Sequence, residues 1–241
     1  MTHGRSDASV MPTSVPARVR DAARWRLDAI GGRMRRLRTA GLADHIRCRL
    51  ELGFALPDLE TMQNYARMKF LHDCIVRFAP SGGVALEIGC YKCSSTVFIA
   101  KACARTPVRH TCAMDLFTGT PSWKTSVDYL DAARRTIAAY RLGDQVTLIR
   151  ADAAGYPWKD AIAVLHIDAD HAYEAVWQDI RKYTPFLAKD GIVVFDDYDV
   201  SHPGVTKAVH RLLSEDPHYQ VVAANYQGLE FGSVCLRRTA S

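Results

Sequence analysis

From Val84 onward the chain alternates short apolar runs with longer stretches whose apolar residues recur at three- and four-residue steps. The short runs are rich in Val, Ile and Leu, as strands buried on both faces require. The longer stretches have one apolar face and read as the helices that cover them. The pattern predicts strands at Val84–Ile88, Thr111–Asp115, Gln145–Arg150, Ala163–Asp168, Ile192–Asp196, Tyr219–Ala224 and Leu229–Arg237. Helices are expected through Ser94–Ala104, Thr125–Tyr140, Ala172–Leu187 and Val205–Glu215. Parallel strands need a helical crossover to return. The alternation therefore implies an α/β fold: a Rossmann-like, seven-stranded, mostly parallel sheet with helices on both faces and an N-terminal helical extension.

The extension follows from the same periodicity. Val19, Ala23, Leu27, Ile30, Met34 and Leu37 share one helical stripe with most of the nearby arginines off it, and further helical segments follow at Ala43–Leu52 and Met62–Phe78. The last of these ends at Ala79–Pro80–Ser81–Gly82–Gly83, a strong stop signal. Residues 1–16, with Gly, Ser, Thr and two Pro, read as a disordered leader. Residues 17–80 are the helical extension and 81–241 the sheet domain.

Charge and cysteine content narrow the partners. Residues 1–40 hold nine Arg and three Asp, a net of +6; taken from the total of +5, this leaves −1 for the rest. The sheet domain thus carries no nucleic-acid footprint, and any basic partner surface lies in the N-terminal arm. Packing of that arm on the body or on a second subunit is a better reading than membrane-surface binding, because Trp25 is its one aromatic. The seven cysteines are an odd number, no apolar h-region precedes them, and no apolar run approaches the ~20 residues of a membrane span. A cytoplasmic chain with free thiols and no transmembrane segment is expected. The lone C-x-x-C of Cys90 and Cys93 is a minor redox candidate.

The chemistry concentrates in Ala163–Asp199. Asp168 and Asp170 close one strand and Asp196–Asp197 close the next, so both acidic pairs fall on the carboxyl edge of the sheet, where open α/β folds bind ligands. Carboxylates gathered there repel unless something positive sits between them, and a divalent cation is the economical reading. The plainer alternatives are solvated acids at strand ends and, for Asp170, a capping role before the helix at Ala172. His171 suits either capping or catalysis, whereas His166, inside a strand, reads as a core residue. Trp123, Trp158, Tyr173 and Tyr198 could line a substrate pocket or pack in the core.

A second stretch, VALEIGCYKCSSTVFIA, ends a strand in Glu87 and Gly89 and opens a helix near Ser94–Ser95, so backbone N–H groups and a helix N-terminus meet at the strand end. It lacks G-x-G-x-x-G, which argues against a dinucleotide oxidoreductase. It resembles the first motif, E/D-x-G-x-x-x-G, of the class I S-adenosylmethionine (SAM) dependent methyltransferases, with Cys93 where the second Gly is usual. By that resemblance Glu87, Gly89, Tyr91 and Ser95 lie around the cofactor, Asp115 in CAMDLF accepts from the ribose hydroxyls, and Asp152 and Ala153 in RADA meet the adenine. Within the class, IDADHAYEAVWQDI, KDGIVVFDDYD and HPGVTKAV resemble the metal-dependent small-molecule O-methyltransferases of the macrocin and antibiotic-sugar branch. The resemblance covers about residues 65–237. It implies a SAM-binding domain over 81–241 and Mg²⁺ or Mn²⁺ on Asp168, Asp196 and Asp197. It also implies His171 as the base, with Asp168 or Asp170 as substitutes, and a homodimer in which the extension is a lid or a subunit contact. The implied reaction is methyl transfer to a hydroxyl of a natural-product sugar or phenol. Metal-independent methyl transfer and a non-methyltransferase nucleotide-binding domain are the alternatives.

Overall fold

The computed structural model describes residues 41–59, 64–119, 127–225 and 232–239. The leader, the Val19–Leu37 stripe and Trp123 lie outside them. Among the described residues the strands are β1 (Val84–Ile88), β2 (Thr111–Asp115), β3 (Val146–Arg150), β4 (Ile162–Ile167), β5 (Leu187–Phe195), β6 (Tyr219–Asn225) and β7 (Ser233–Arg238). They form one sheet in the order β3-β2-β1-β4-β5-β7-β6. β1 to β5 are mutually parallel, and β7 runs antiparallel to both β5 and β6.

Burial explains the order. Every residue of β1 and β4 is buried, as a central parallel strand with helices on both sides must be, whereas the edge strands β3 and β6 mix buried and exposed positions. The helices are α1 (Leu42–Arg47, continued as a π-turn through Cys48–Leu52), α2 (Tyr65–Phe78), α3 (Ser94–Cys103), α4 (Leu130–Ala139), α5 (Tyr173–Tyr183) and α6 (Pro203–Glu215). Val84, Leu86 and Ile88 of β1 pack with Val176 and Ile180 of α5 and Val205 and Val209 of α6. Ala85 points the other way, into a layer with Leu71 and Ile75 of α2 and Ile99 of α3. One strand thus feeds both layers through its two-residue period. No helix among the described residues is long and apolar enough to cross a membrane.

Several boundaries differ from the sequence reading; the helix expected from Thr125 begins at Leu130, and two others have a clear physical cause. β5 starts at Leu187 rather than Ile192, because Lys189–Asp190–Gly191 forms an irregularity inside the strand and not the turn before it. Asp190 has φ +62°, and pairing skips from Ile162–Leu187 to Val164–Ile192. The helix expected from Ala172 to Leu187 stops at Tyr183, and Thr184–Phe186 completes it as a 3₁₀ turn around Pro185.

The strand order also locates the ligand edge. The chain runs β1-β2-β3 toward one side and β4-β5 toward the other, so crossovers reverse between β1 and β4 and leave a crevice outside their carboxyl ends. Asp179 on α5 is only 8% exposed, and burial, with the Asp152 charge, pushes its carboxyl from 3.8 up to about 7 despite Lys182. Between these values only the unfolded chain ionises, so wild-type stability falls as pH rises through that window and levels off above it. Asp179→Asn cannot ionise and should be more stable than wild type by up to about 4 kcal/mol above neutral pH. Denaturant unfolding should show a larger gain near about pH 8 than near about pH 5. An equal gain at both would place Asp179 in solvent.

Candidate active site

The edge is built from backbone contacts first. β1 ends in Gly89, φ +88°, and a Cβ there would lie 2.1 Å from the Asp168 carbonyl oxygen. Only glycine fits, and its absence of side chain lets the β1–α3 loop lie directly against the end of β4. The loop then turns through Tyr91 and Cys93, both at positive φ (48° and 67°), with the Cys93 N–H donating to the Cys90 carbonyl at 2.7 Å. Cys93 caps α3 in the left-handed region, the conformation glycine adopts at lowest cost. Its side chain is fully buried among Cys48, Phe54 and Phe98, so the thiol packs in the core instead of facing the crevice. Burial and the adjacent Cys93 push the Cys90 thiol well above its ordinary pKa, away from thiolate chemistry.

The residues expected around a cofactor fall into place unevenly. Asp115 ends β2 and accepts the Tyr91 N–H at 2.8 Å and the Phe117 N–H at 2.6 Å, which ties β2 to the glycine loop. A carboxylate has about four acceptor sites, so capacity for a diol remains. Asp152 and Ala153 form a braced turn after β3: the Asp152 carboxylate accepts the Ala154 N–H at 3.0 Å, and the Ala153 carbonyl accepts the Tyr183 hydroxyl at 2.7 Å. Ser95 is buried in the first turn of α3, while its neighbour Ser94 donates to the Asp58 carbonyl at 2.6 Å. Glu87 is fully buried and engaged internally, accepting from the Thr96 hydroxyl and meeting His166 Nδ1 at 3.1 Å. It acts as a strut between β1, α3 and β4. His166 is accordingly a paired core residue. Trp158 and Tyr198 are also buried, with Trp158 Nε1 donating to the Asp160 carbonyl at 2.7 Å and the Tyr198 hydroxyl 2.8 Å from His210 Nε2.

At the acidic end the structure brings Asp168, Asp196, Asp197 and His171 together and adds a residue the sequence reading did not name. Arg67 of α2, 2% exposed, donates from Nε to Asp196 Oδ1 at 3.0 Å and from Nη2 to Asp197 Oδ1 at 2.8 Å, and Nη2 also pairs with Asp196 Oδ2. Asn64 caps α2 by accepting the Arg67 N–H at 3.0 Å, which fixes where the side chain leaves the helix. Ser233 of β7 donates to Asp196 Oδ1 at 2.7 Å. Burial alone would weaken the Arg67 charge, but Asp196, Asp197 and Asp168 raise its pKa further. Removing one partner of so buried a pair costs about 3–5 kcal/mol. Arg67 thus places one positive charge against both Asp196 and Asp197. Asp168 and Asp196 fall in one group of possible metal donors and Asp197 in another: His166–Asp168–Asp196 and His171–Asp197–His202, with the donor atoms of each within 4.8 Å of one another.

His171 sits on the far side of Asp197, its Nε2 2.8 Å from Oδ2, and its ring lies 4.4 Å from that of His202. The hydrogen bond to Asp197 raises the His171 pKa. Burial would raise Asp197, yet His171 and Arg67 hold it below the usual carboxylate value. Asp168 goes the other way, pushed well above that value by burial and by Asp196. Asp197 itself has φ +53°, a left-handed position that bends the chain past the strand end. The following loop is tied by Asp199, which accepts the N–H groups of Ser201 (2.8 Å), His202 (3.0 Å) and Gly232 (3.2 Å). Gly204 holds α6 against this corner, since a Cβ there would lie 2.3 Å from the His171 carbonyl oxygen. Asp170 stays outside the cluster, exposed and accepting the Ala172 N–H at 2.8 Å.

Residues 86–198 match the family model described as a methyltransferase domain. Solved methyltransferases share its fold. The O-methyltransferase NovP superposes with a TM-score of 0.57 at 19% identity, over 78% of this chain and 84% of NovP. CalS11, a TDP-rhamnose 3'-O-methyltransferase of calicheamicin biosynthesis, gives 0.53 at 21% identity, over 71% of this chain and 77% of its own. A putative methyltransferase from Streptococcus mutans, solved with SAH, gives 0.53 at 14% identity, over 71% and 97%. Among curated proteins, the uncharacterized protein R132 of Acanthamoeba polyphaga mimivirus is 36% identical over 70 residues, which is 27% of this chain and 32% of that protein.

Arg67, Ser233, Asp199 and His202 were not among the residues singled out from sequence. The signal for Arg67 was a cation on an otherwise apolar face, in step with Leu71 and Ile75 at four-residue spacing. The geometry at Gly89 makes a sharp prediction. Gly89→Ala should lose SAM binding in a calorimetric titration, because the new Cβ drives the loop off Asp168, while Gly143→Ala, at a position where a Cβ meets nothing within 4 Å, should bind as wild type does. Wild-type affinity in Gly89→Ala would mean that the loop does not cradle the cofactor.

Proposed function

We propose that this protein is a SAM-dependent O-methyltransferase acting on a hydroxyl group of a small molecule such as a natural-product sugar or phenol. The observation that carries the reading is the Asp197–His171 pair, 2.8 Å apart at the carboxyl edge, beside the glycine loop. When bound, SAM supplies a methyl carbon on a positive sulfur, an already activated leaving group, so the protein must mainly align the acceptor and remove its proton. Gly89, Tyr91 and Ser95 would cradle the cofactor, Asp115 its ribose, and Asp152 and Ala153 its adenine. An alcohol oxygen is a poor nucleophile near neutral pH, and a base that takes its proton as the new C–O bond forms removes that obstacle. Asp197 accepts from Nε2 of His171, which leaves Nδ1 as the basic nitrogen, and the carboxylate then stabilises the imidazolium that forms. Asp168, whose carboxyl burial and Asp196 push well above the usual range, suits hydrogen-bond donation better than proton removal. NovP and CalS11 are both named as O-methyltransferases, which supports a hydroxyl acceptor.

A metal-dependent version of the same transfer is the second reading, favoured by the two donor groups around Asp168 and Asp197. We also place a homodimer contact on α1, where Leu42, Ile46 and Leu50, at four-residue steps, are 65%, 50% and 79% exposed. Ile46→Glu with Leu50→Glu should shift the chain to a monomer in light scattering, and an unchanged mass would remove that contact. The catalytic assignment separates by kinetics. His171→Ala should lower kcat by about 10²–10⁴ with SAM affinity intact. Asp115→Ala should weaken SAM binding by about 1–3 kcal/mol. The reverse pattern, or wild-type kcat in His171→Ala, would exclude this division of roles.

A further inference from the structure

We propose that Arg67 is a built-in cation that takes, between Asp196 and Asp197, the place a divalent metal would fill, and that through Asp197 it positions His171. The positioning half rests on the methyl-transfer reading; the cation half stands on the geometry alone.

The guanidinium is fully committed to this site by its surroundings. It is 2% exposed, its Nε donates to Asp196 Oδ1, its Nη2 lies in ion-pair contact with Asp196 Oδ2, an oxygen without a hydrogen-bond partner among the described residues, and Nη2 reaches Asp197 Oδ1 at 2.8 Å. An arginine stays charged in proteins, so this cation does not dissociate as a bound ion can. A second, divalent charge placed among the same carboxylates would face the guanidinium across a low-dielectric interior, where like charges repel strongly. Ser233 occupies a further acceptor site on Asp196 Oδ1, leaving that oxygen doubly hydrogen-bonded before any ion arrives.

The same geometry relays orientation. Asp197 presents Oδ1 to Arg67 and Oδ2 to His171, each at 2.8 Å, so the arginine fixes one edge of the carboxylate and the other edge fixes the imidazole. His202 Nδ1 stands 3.8 Å from Oδ1 and 3.2 Å from Asp199 Oδ1, so it leans on the loop acid more than on Asp197. A lysine at position 67 would keep the charge but not the planar fork that spans two carboxylates.

The test needs neither SAM nor an acceptor, so its outcome is separate from whether methyl transfer is found. Mn²⁺ is titrated into the full chain and free ion is read by electron paramagnetic resonance. Wild type should leave Mn²⁺ free, and EDTA should leave its Tm unchanged. Arg67→Ala should bind one Mn²⁺ per chain, because Asp196 and Asp197 have lost their cation beside Asp168, and adding Asp196→Asn should abolish that binding. Stoichiometric Mn²⁺ uptake by wild type that Asp196→Asn removes would overturn the proposal, and this arm decides even where Arg67→Ala does not fold. For the positioning half, Arg67→Lys should lower kcat by about tenfold or more with SAM affinity unchanged. Added guanidinium ion should restore turnover to Arg67→Ala better than ammonium does. Wild-type kcat in Arg67→Lys would reduce the residue to a structural pair.

Discussion

Asp168, Asp196 and Asp197 crowd the end of two adjacent buried strands, and the charge of Arg67 is what allows them to share that space. Two like charges about 4 Å apart repel by about 4 kcal/mol at an effective dielectric of 20, which is a large part of the stability of a single domain. One guanidinium offsets this for the Asp196–Asp197 pair, and at Asp168 burial and the Asp196 charge push the carboxyl pKa well up. The cation comes from α2, which precedes the sheet in sequence and packs beside α3 and across β5 and β7. The edge is therefore electrostatically complete only when α2 has docked, and the stability of that helix and the geometry of His171 share one cause.

Backbone contact supplies the second constraint. Gly89 sits against Asp168, Gly204 against His171, and Gly232 against the Tyr198 carbonyl, where a Cβ would lie 2.3 Å away. Each glycine joins a loop to the corner beside an acidic strand end. Side chains would separate these segments by a few ångström, enough to break hydrogen bonds whose useful range is only about half an ångström wide. The edge is rigid because main chain packs on main chain, and the polar side chains are aimed from a frame that cannot give way.

Much of the fold could be read from periodicity alone, for a physical reason. β1 and β4 are buried on both faces, so their sequences are almost wholly apolar, and Val84–Ile88 and Thr111–Asp115 have the bounds expected of them. The same rule misplaced the start of β5, because Lys189–Asp190–Gly191 carries turn chemistry inside a strand that tolerates a bulge. At the site, the acids and His171 were legible because charged residues at apolar strand ends stand out. Arg67 was not, since it lies 129 residues from Asp196 and no local pattern reports which strand end an arginine on a helix will reach. The inference that something positive must separate the carboxylates was sound. Arg67, brought there only by tertiary packing, supplies one such charge.

Environment then divides the carboxyl groups into different kinds of acid. Asp168, half-buried beside Asp196, has its carboxyl pushed well above the usual range, while Asp197, next to Asp196 in the chain, is held below it by His171 and Arg67. A pair of carboxyls whose surroundings push their pKa values apart can hold a proton donor and a charge-bearing acceptor side by side at one pH. Asp197 can take the acceptor role only because its two oxygens face two different cations, one permanent and one conditional. Arg67 is charged at any pH the protein meets, so Asp197 keeps one cationic partner whether or not His171 carries a proton. That asymmetry lets His171 gain and lose a proton without its orienting partner following it, which is the property a base must have to work through repeated turnovers.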